Sequence, residues 1–222
     1  RILADLFTFV DSTIGLQHTL ITLSADHGMA DMPEYMTELG YEAGRLAPIQ
    51  IVGRANSVGA QLGIEGVVRF FYRPYLYLND EKIAAAKVDR IKVEHAIADA
   101  LTDIDGIALA VANSRLTGQQ SNPLIIKVRN NHHVIRSGDI YIVQEPYWFL
   151  FDEGPIAAMH GSPWRYDTHV PIIFMGPSIQ PQTIHRLVHP VDVAPTIAAI
   201  LGMTPPGSAQ GSQGSPLEEV LR

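Results

Sequence analysis

The sequence predicts an α/β fold, a mainly parallel sheet flanked by helices, with a small α+β subdomain inserted into it. Three observations lead there. Near the amino end a helical apolar repeat runs into a short β-branched stretch, the alternation expected of an α/β sheet. A long middle segment then carries strand, helix and further strands, the content of a compact α+β layer. Beyond it the chain returns to an apolar strand followed by a capped helix. The expected organisation is a core at 1–39 and 149–222 and an inserted cap at 40–148.

Ile2, Leu3, Leu6, Phe9 and Val10 follow helical spacing, so residues 2–10 read as a helix, with Gly15 ending the segment. Thr19–Ser24 is β-branched and apolar, the mark of a buried strand, and it stops at Ala25-Asp26-His27-Gly28. In the middle, Arg73–Leu78 reads as a strand, residues 89–103 as a helix with Val93, Ile97 and Leu101 on one face, and Gly106–Ala112 as a strand. Leu124–Val128 and Ile140–Val143 flank a polar segment with Asn130, Asn131 and Gly138, and are expected to form a hairpin. Val170–Met175 reads as another core strand, with Pro171 tolerated near its start. Asp192 is the expected N-cap of a helix through Leu201, with Pro195 in its first turn and Gly202 at its end. Thr204–Ser215 is loop by composition, and Leu217–Leu221 a last short turn.

Composition narrows the function classes. The 222 residues are 46% hydrophobic and 18% charged, as in an ordinary globular chain. A net charge of −7 argues against nonspecific nucleic-acid binding, which needs a basic surface to release counterions. No apolar run approaches the roughly 18 residues that span a bilayer. Cysteine is absent, so any metal must be held by His, Asp or Glu. The chain opens at Arg1 directly in an apolar repeat, as expected of a piece cut from a longer protein.

Two segments can carry chemistry. Open α/β sheets place ligands beyond the carboxyl ends of their strands, where Asp26 and His27 are expected. A carboxylate with an imidazole suits a divalent ion such as zinc, and Gly28 lets the backbone turn away at once. Equally, Asp26 can cap the next turn and His27 can be a polar loop residue. The second segment runs from His160-Gly-Ser-Pro-Trp-Arg to Tyr166-Asp-Thr-His169, immediately before a strand. Each of its histidines alone reads as a surface residue; with Asp26 and His27 they make a natural two-metal constellation. Arg165 can meet a phosphate or form a surface ion pair. His132 and His133 read as exposed turn residues, His95 as a helix surface residue, and His18, His185 and His189 as loop groups. Trp148 and Trp164 read as packing residues.

In order, Ser24-Ala-Asp-His-Gly28, His160-Gly-Ser-Pro, Tyr166-Asp-Thr-His-Val-Pro-Ile-Ile-Phe-Met-Gly176 and Val191-Asp-Val-Ala-Pro-Thr-Ile-Ala198 resemble the alkaline phosphatase superfamily. The resemblance is to bacterial alkaline phosphatases with a threonine nucleophile, relatives of type I phosphodiesterases and nucleotide pyrophosphatases. It covers both ends of the chain and implies an alkaline-phosphatase-like sheet, two zinc ions and a small phosphate ester as substrate. It implies that Asp26 and His27 bind one zinc, which also holds the nucleophile, and that His160 completes the other. His169, directly against the strand, is implied to support the site or to be the alternative ligand, and Asp192 to be a structural cap. The implied reaction is monoester hydrolysis through a covalent phospho-enzyme, in a periplasmic or secreted protein. Diester or nucleotide pyrophosphate cleavage, or a non-catalytic module with vacant metal sites, are the alternatives.

Strand direction bears on the histidines. Were Val170–Met175 parallel to Thr19–Ser24, its start would lie at the opposite sheet edge, since five residues of strand extend about 16 Å. His160 reaches the metals under either direction, through its nine-residue tether; His169 does so only in an antiparallel pair. The departures from the family weigh as much as the matches. Residues 1–25 hold no early aspartate, no placeable Thr or Ser nucleophile and no Asp-x-x-x-His pair; Asp11, Thr13 and Gly15 do not satisfy the spacing. No catalytic residue is therefore assigned. The chain alone is expected to be inactive and to bind zinc weakly or leave the sites empty, because catalytic zinc takes three protein ligands.

Overall fold

A computed structural model describes residues 1–151, 156–205 and 214–221. Its elements are α1 (Ile2–Thr13), β1 (Ile21–Ser24), α2 (Pro33–Glu38), β2 (Gly44–Arg45), α3 (Pro48–Gln61), β3 (Val68–Tyr72), β4 (Tyr75–Leu78) and α4 (Asp80–Ala86). There follow α5 (Arg90–Thr102), β5 (Ile107–Ala112), α6 (Pro123–Asn131), β6 (Ile140–Gln144), β7 (Trp148–Phe149), α7 (Arg165–Thr168), β8 (Ile172–Met175) and α8 (Val193–Ile200). The chain forms two compact units, a terminal unit of 1–27 with 169–222 and a middle unit of 28–168.

In the terminal unit β1 and β8 pair antiparallel, with Ile21 opposite Met175 and Ser24 opposite Ile172. Beyond the ladder the Ser24 hydroxyl donates to the Pro171 carbonyl at 2.9 Å. α1 extends three residues past the expected Val10 and buries none of them. Asp192 does not cap α8 with its side chain. Its carboxylate instead accepts from the backbone N–H groups of His189 and Ser215, both within 2.9 Å. Fully buried Thr196 donates to the Asp192 carbonyl and accepts from the Leu217 N–H. Asp192 and Thr196 thus fasten the chain end to α8. Gly202 ends the helix at φ 62°, a left-handed cap that glycine adopts without cost. Most of the expected loop 204–215 lies outside the described residues.

The middle unit holds a four-stranded sheet in the order β3-β4-β6-β5, every neighbouring pair antiparallel. α3 and α5 pack on it through Ile51, Ala55, Ile97 and Leu101, closing one apolar core with Leu76 and Ile142. Asp89 caps α5, its carboxylate accepting from the Lys92 N–H at 2.8 Å, which satisfies one of the orphan donors of the first turn. A short parallel pair, β2 with β7, is the one parallel pairing among the described strands. The α/β class holds, with mixed rather than mainly parallel pairing.

Three expectations change. The middle unit is wider than 40–148, because residues on both sides are tied into it. Ala30 bridges Met159, and the Leu46 N–H donates to Phe149. Leu124–Val128 is helix, not the strand of a hairpin with Ile140–Val143. Asn122 accepts from the Leu124 N–H and Pro123 opens the first turn, a start signal stronger than the β-branched run that follows. β6 pairs instead with β4 and β5. The sequence reading also passed over α2, α3, α4 and β3.

Candidate functional site

β1 ends at Ser24, and Asp26 and His27 follow it directly. Asp26 is exposed and His27 half-buried. The Asp26 carboxylate accepts the His27 backbone N–H at 3.0 Å, and its other oxygen lies 3.6 Å from His27 Nε2. Zinc bonds of about 2.0–2.2 Å to nitrogen and oxygen at a tetrahedral angle put two donors roughly 3.4 Å apart. The pair therefore fits two positions on one zinc ion, and its O/N donor set suits that metal. Among the described residues no group of three or more His, Cys, Asp or Glu side chains is gathered to hold a metal.

The antiparallel ladder answers the question of strand direction. His27 lies three residues beyond Ser24 and His169 three residues before its partner Ile172. The pairing of Ser24 with Ile172 ends the ladder, so the chain leading into β8 from His169 and the chain leaving β1 toward Asp26 lie at the same end of it. The geometric objection to His169 is thereby removed.

His160 belongs to the middle unit, exposed at the head of a loop that ends in α7. The loop is built around Asp167. This buried carboxylate accepts from the Ser162 N–H at 2.7 Å and the Ser162 hydroxyl at 2.6 Å. Its second oxygen is buried without a hydrogen-bond partner. Gly161 has φ 101°, a conformation that makes glycine the default residue here. The Trp164 indole donates to the Gln144 carbonyl at 2.7 Å and Lys127 Nζ to the Pro163 carbonyl at 2.5 Å, which pins the loop to the sheet. Tyr166 accepts from the Tyr147 N–H, and burial raises its phenol. Tyr141, whose hydroxyl faces the Gly161 carbonyl, is pushed up to about 12 by burial. Both phenols stay protonated.

Gly28 earns a different explanation from the expected turn. A Cβ there would lie 2.0 Å from the Tyr166 carbonyl oxygen, while the Gly28 N–H donates to the Asp167 carbonyl at 2.8 Å. Only a residue without a side chain allows these strands of backbone to meet. Sequence reasoning saw Asp167 as one polar residue in a cluster and missed it as the loop's internal acceptor. The available signal was a serine and an aspartate bracketing Pro163-Trp164-Arg165-Tyr166.

The remaining candidates fall apart spatially. Arg165 is exposed at the start of α7. His132 and His133 sit at the end of α6, not in a hairpin turn; His132 is half-buried, and burial lowers its imidazole. His95 is half-buried rather than on the surface, with Nε2 3.0 Å from the Ser114 hydroxyl, which donates to buried Glu94. His18, His185 and His189 are exposed. Trp148 and Trp164 pack against the two apolar clusters of the middle unit.

The chain resembles curated proteins along its whole length. It is 31% identical over 224 residues to a Myroides odoratus protein named calcium-transporting ATPase, covering 100% of this chain and 40% of that one. It is 28% identical to the alkaline phosphatase PhoV of Synechococcus elongatus, covering 99% of this chain and 39% of the relative. To the alkaline phosphatase PafA of Elizabethkingia meningoseptica it is 25% identical, with 100% and 40% covered. These matches link the chain to the alkaline phosphatase superfamily. The crystal structure of wild-type PafA superposes with a TM-score of 0.86 at 24% identity, over 99% of this chain and 41% of PafA. A PafA variant gives 0.84 at 24% identity, over 98% of this chain and 41% of the variant. The fold is the corresponding part of that α/β architecture. No family model matches the chain. It spans 40%, 39% and 40% of the three curated relatives' lengths. Among the described residues no helix is long and apolar enough to cross a membrane.

Proposed function

We propose that these residues are part of a metal-dependent phosphoester hydrolase, and that Asp26 and His27 supply two ligands to one of its zinc ions. The observation that carries this reading is the 3.6 Å approach of Asp26 Oδ2 to His27 Nε2 at the end of β1. The alkaline phosphatases among the relatives support it. We favour His169 as the next donor on the strength of the β1–β8 register; His160 remains the donor that the motif resemblance implies. When bound, zinc supplies Lewis acidity toward a phosphoryl oxygen. The residues of this chain hold and orient: Asp26 contributes charge, His27 direction, and the Asp167–Ser162 clamp a fixed loop beneath His160. Arg165 is the proposed phosphate contact, through its planar fork of donors.

Covalent catalysis needs a nucleophile set against the metal, and none is assigned in this chain. A second reading is favoured for the 222 residues by themselves: a folded module whose metal site is incomplete among its described residues. Both readings are tested by hydrolysis of p-nitrophenyl phosphate and its bis ester with added zinc. The isolated chain should show no turnover. PafA in which the matched 40% is replaced by this chain should show zinc-dependent turnover that Asp26→Ala abolishes. Turnover by the isolated chain, lost on Asp26→Ala, would overturn the second reading; full activity of the Asp26→Ala hybrid would overturn the first.

A further inference from the structure

The loop between α6 and β6 presents two aliphatic side chains to solvent on a firm support. Val134 and Ile135 are 85% and 87% exposed, in a unit that closes an apolar core of its own around Leu76, Ile97 and Ile142. Hydrogen bonds hold them outward. The His133 carbonyl accepts from the N–H groups of Arg136 and Ser137. The Ile135 N–H donates to His133 Nδ1 at 3.2 Å, and the His133 N–H to the Ser137 hydroxyl at 2.9 Å. That hydroxyl donates in turn to the Tyr75 phenol, and the Tyr77 phenol donates to the Arg136 carbonyl. Side chains alternate along a strand, so Tyr75 and Tyr77 lie on the sheet face opposite the one where Leu76 meets α3 and α5. Phe70 stacks on Tyr77 with ring centroids 4.1 Å apart, and Tyr72 is paired with Tyr75. Phe70 and Tyr72 are 46% and 73% exposed, so aromatic rings continue the surface that the aliphatic tip begins.

Charge indicates what this surface meets. The chain carries −7 overall, yet between Asp105 and Asp139 it has no acidic residue and four basic ones, Arg115, Lys127, Arg129 and Arg136. Arg115 is paired with Asp99. Arg129 and Arg136 are exposed on either side of the tip, with His133 exposed between them. Asp139, the next acid along the chain, is already held by Arg90 and the Leu78 N–H. Aliphatic side chains suit the acyl boundary of a bilayer, tyrosines its interfacial level, and arginines its anionic headgroups. We infer that the 132–137 loop is a membrane-surface anchor, which seats Val134 and Ile135 in an anionic leaflet and sets Arg129 and Arg136 on its headgroups. The contact is with the surface alone, since among the described residues no helix is long and apolar enough to cross a membrane. The inference goes beyond the hydrolase reading and does not depend on zinc.

The test sediments this chain with vesicles of phosphatidylcholine, with and without phosphatidylglycerol. The chain should pellet with the anionic vesicles and stay in solution with the neutral ones, and added salt should release it. Val134→Ser combined with Ile135→Ser should weaken binding at least about tenfold, by removing the inserted aliphatic area. Arg136→Gln should weaken it about fivefold, the effect of one cation at an anionic surface. Fluorescence of Trp148 and Trp164, both in the same unit as the loop, should be unchanged without vesicles and so show that the variants are folded. The hybrid of PafA and this chain should pellet as the chain does. A hybrid that stays in solution would mean that the rest of its polypeptide covers the loop, and would overturn the proposal. So would a chain that does not pellet, equal binding to neutral vesicles, or equal binding by the double variant. A homodimer that the double substitution dissolves, in place of vesicle binding, would overturn it too. Vesicle binding by a hybrid without zinc-dependent turnover would leave the anchor standing and refute the hydrolase reading.

Discussion

Replacing Gly28 by alanine forces a methyl group to within 2.0 Å of the Tyr166 carbonyl oxygen. Backbone must move to admit it, and overpacking of this kind costs about 1–3 kcal/mol. Gly28→Ala should therefore lower the urea midpoint of the middle unit, whereas Gly53→Ala, with open space around its Cβ position, should not. Asp167→Ala strands the Ser162 N–H and hydroxyl inside the loop, and losing hydrogen bonds to a buried charged group costs about 1.5–3 kcal/mol. Near-ultraviolet dichroism of Trp164, whose N–H leans on Ser162, should change with it. The position of Asp26-His27-Gly28 at a strand end was legible because polar residues replace the apolar run there. The reason for the glycine was not legible, since it depends on a carbonyl 138 residues away in sequence. Asp167 was hidden for the same reason: burial of a carboxylate is a tertiary fact.

Among elements, the strongest sequence signals survived and the weakest failed in an instructive way. α5 was legible because Val93, Ile97 and Leu101 repeat at helical spacing; its Asp89 cap is seen only in the structure. α6 was misread because Leu124-Ile-Ile favours strand, yet the Asn122–Pro123 start overrides it. Asn122→Ala should cost roughly 1 kcal/mol of stability by removing that cap, read as a lower thermal midpoint. Ion pairs also join elements. The Arg45 guanidinium holds Glu34 below the ordinary carboxylate range by hydrogen bonding, and Arg115 does the same for Asp99. Depressed carboxyls bind fewer protons in the folded state, so their stabilisation is present above the unfolded values of 4.5 and 3.8 and is lost as pH falls through the lower folded ones. Both acids are largely exposed, so solvent screening keeps the effect small. Urea titrations at pH 6 and pH 3 should show Glu34→Gln narrowing the difference between the two midpoints; an unchanged difference would show that this pair contributes nothing.

For the whole molecule, the α/β class and the return to core-like sequence after the middle segment were legible from apolar rhythm alone. The unit boundaries were not, because Ala30–Met159 and Leu46–Phe149 are long-range backbone pairings. The two units also differ in how they respond to truncation. Ile97→Ala, at a fully buried position, should cost about 2–5 kcal/mol. Leu6→Ala, on the exposed face of α1, should leave the isolated chain's stability nearly unchanged. The claim that Asp26 and His27 hold a metal is tested most directly by long-range 1H–15N spectra of the nine histidine rings during zinc titration. The account predicts that His27 and His169 shift together with one weak dissociation constant, and that Asp26→Ala removes both shifts. A His27 ring that does not respond to zinc, or responds identically in Asp26→Ala, would contradict it.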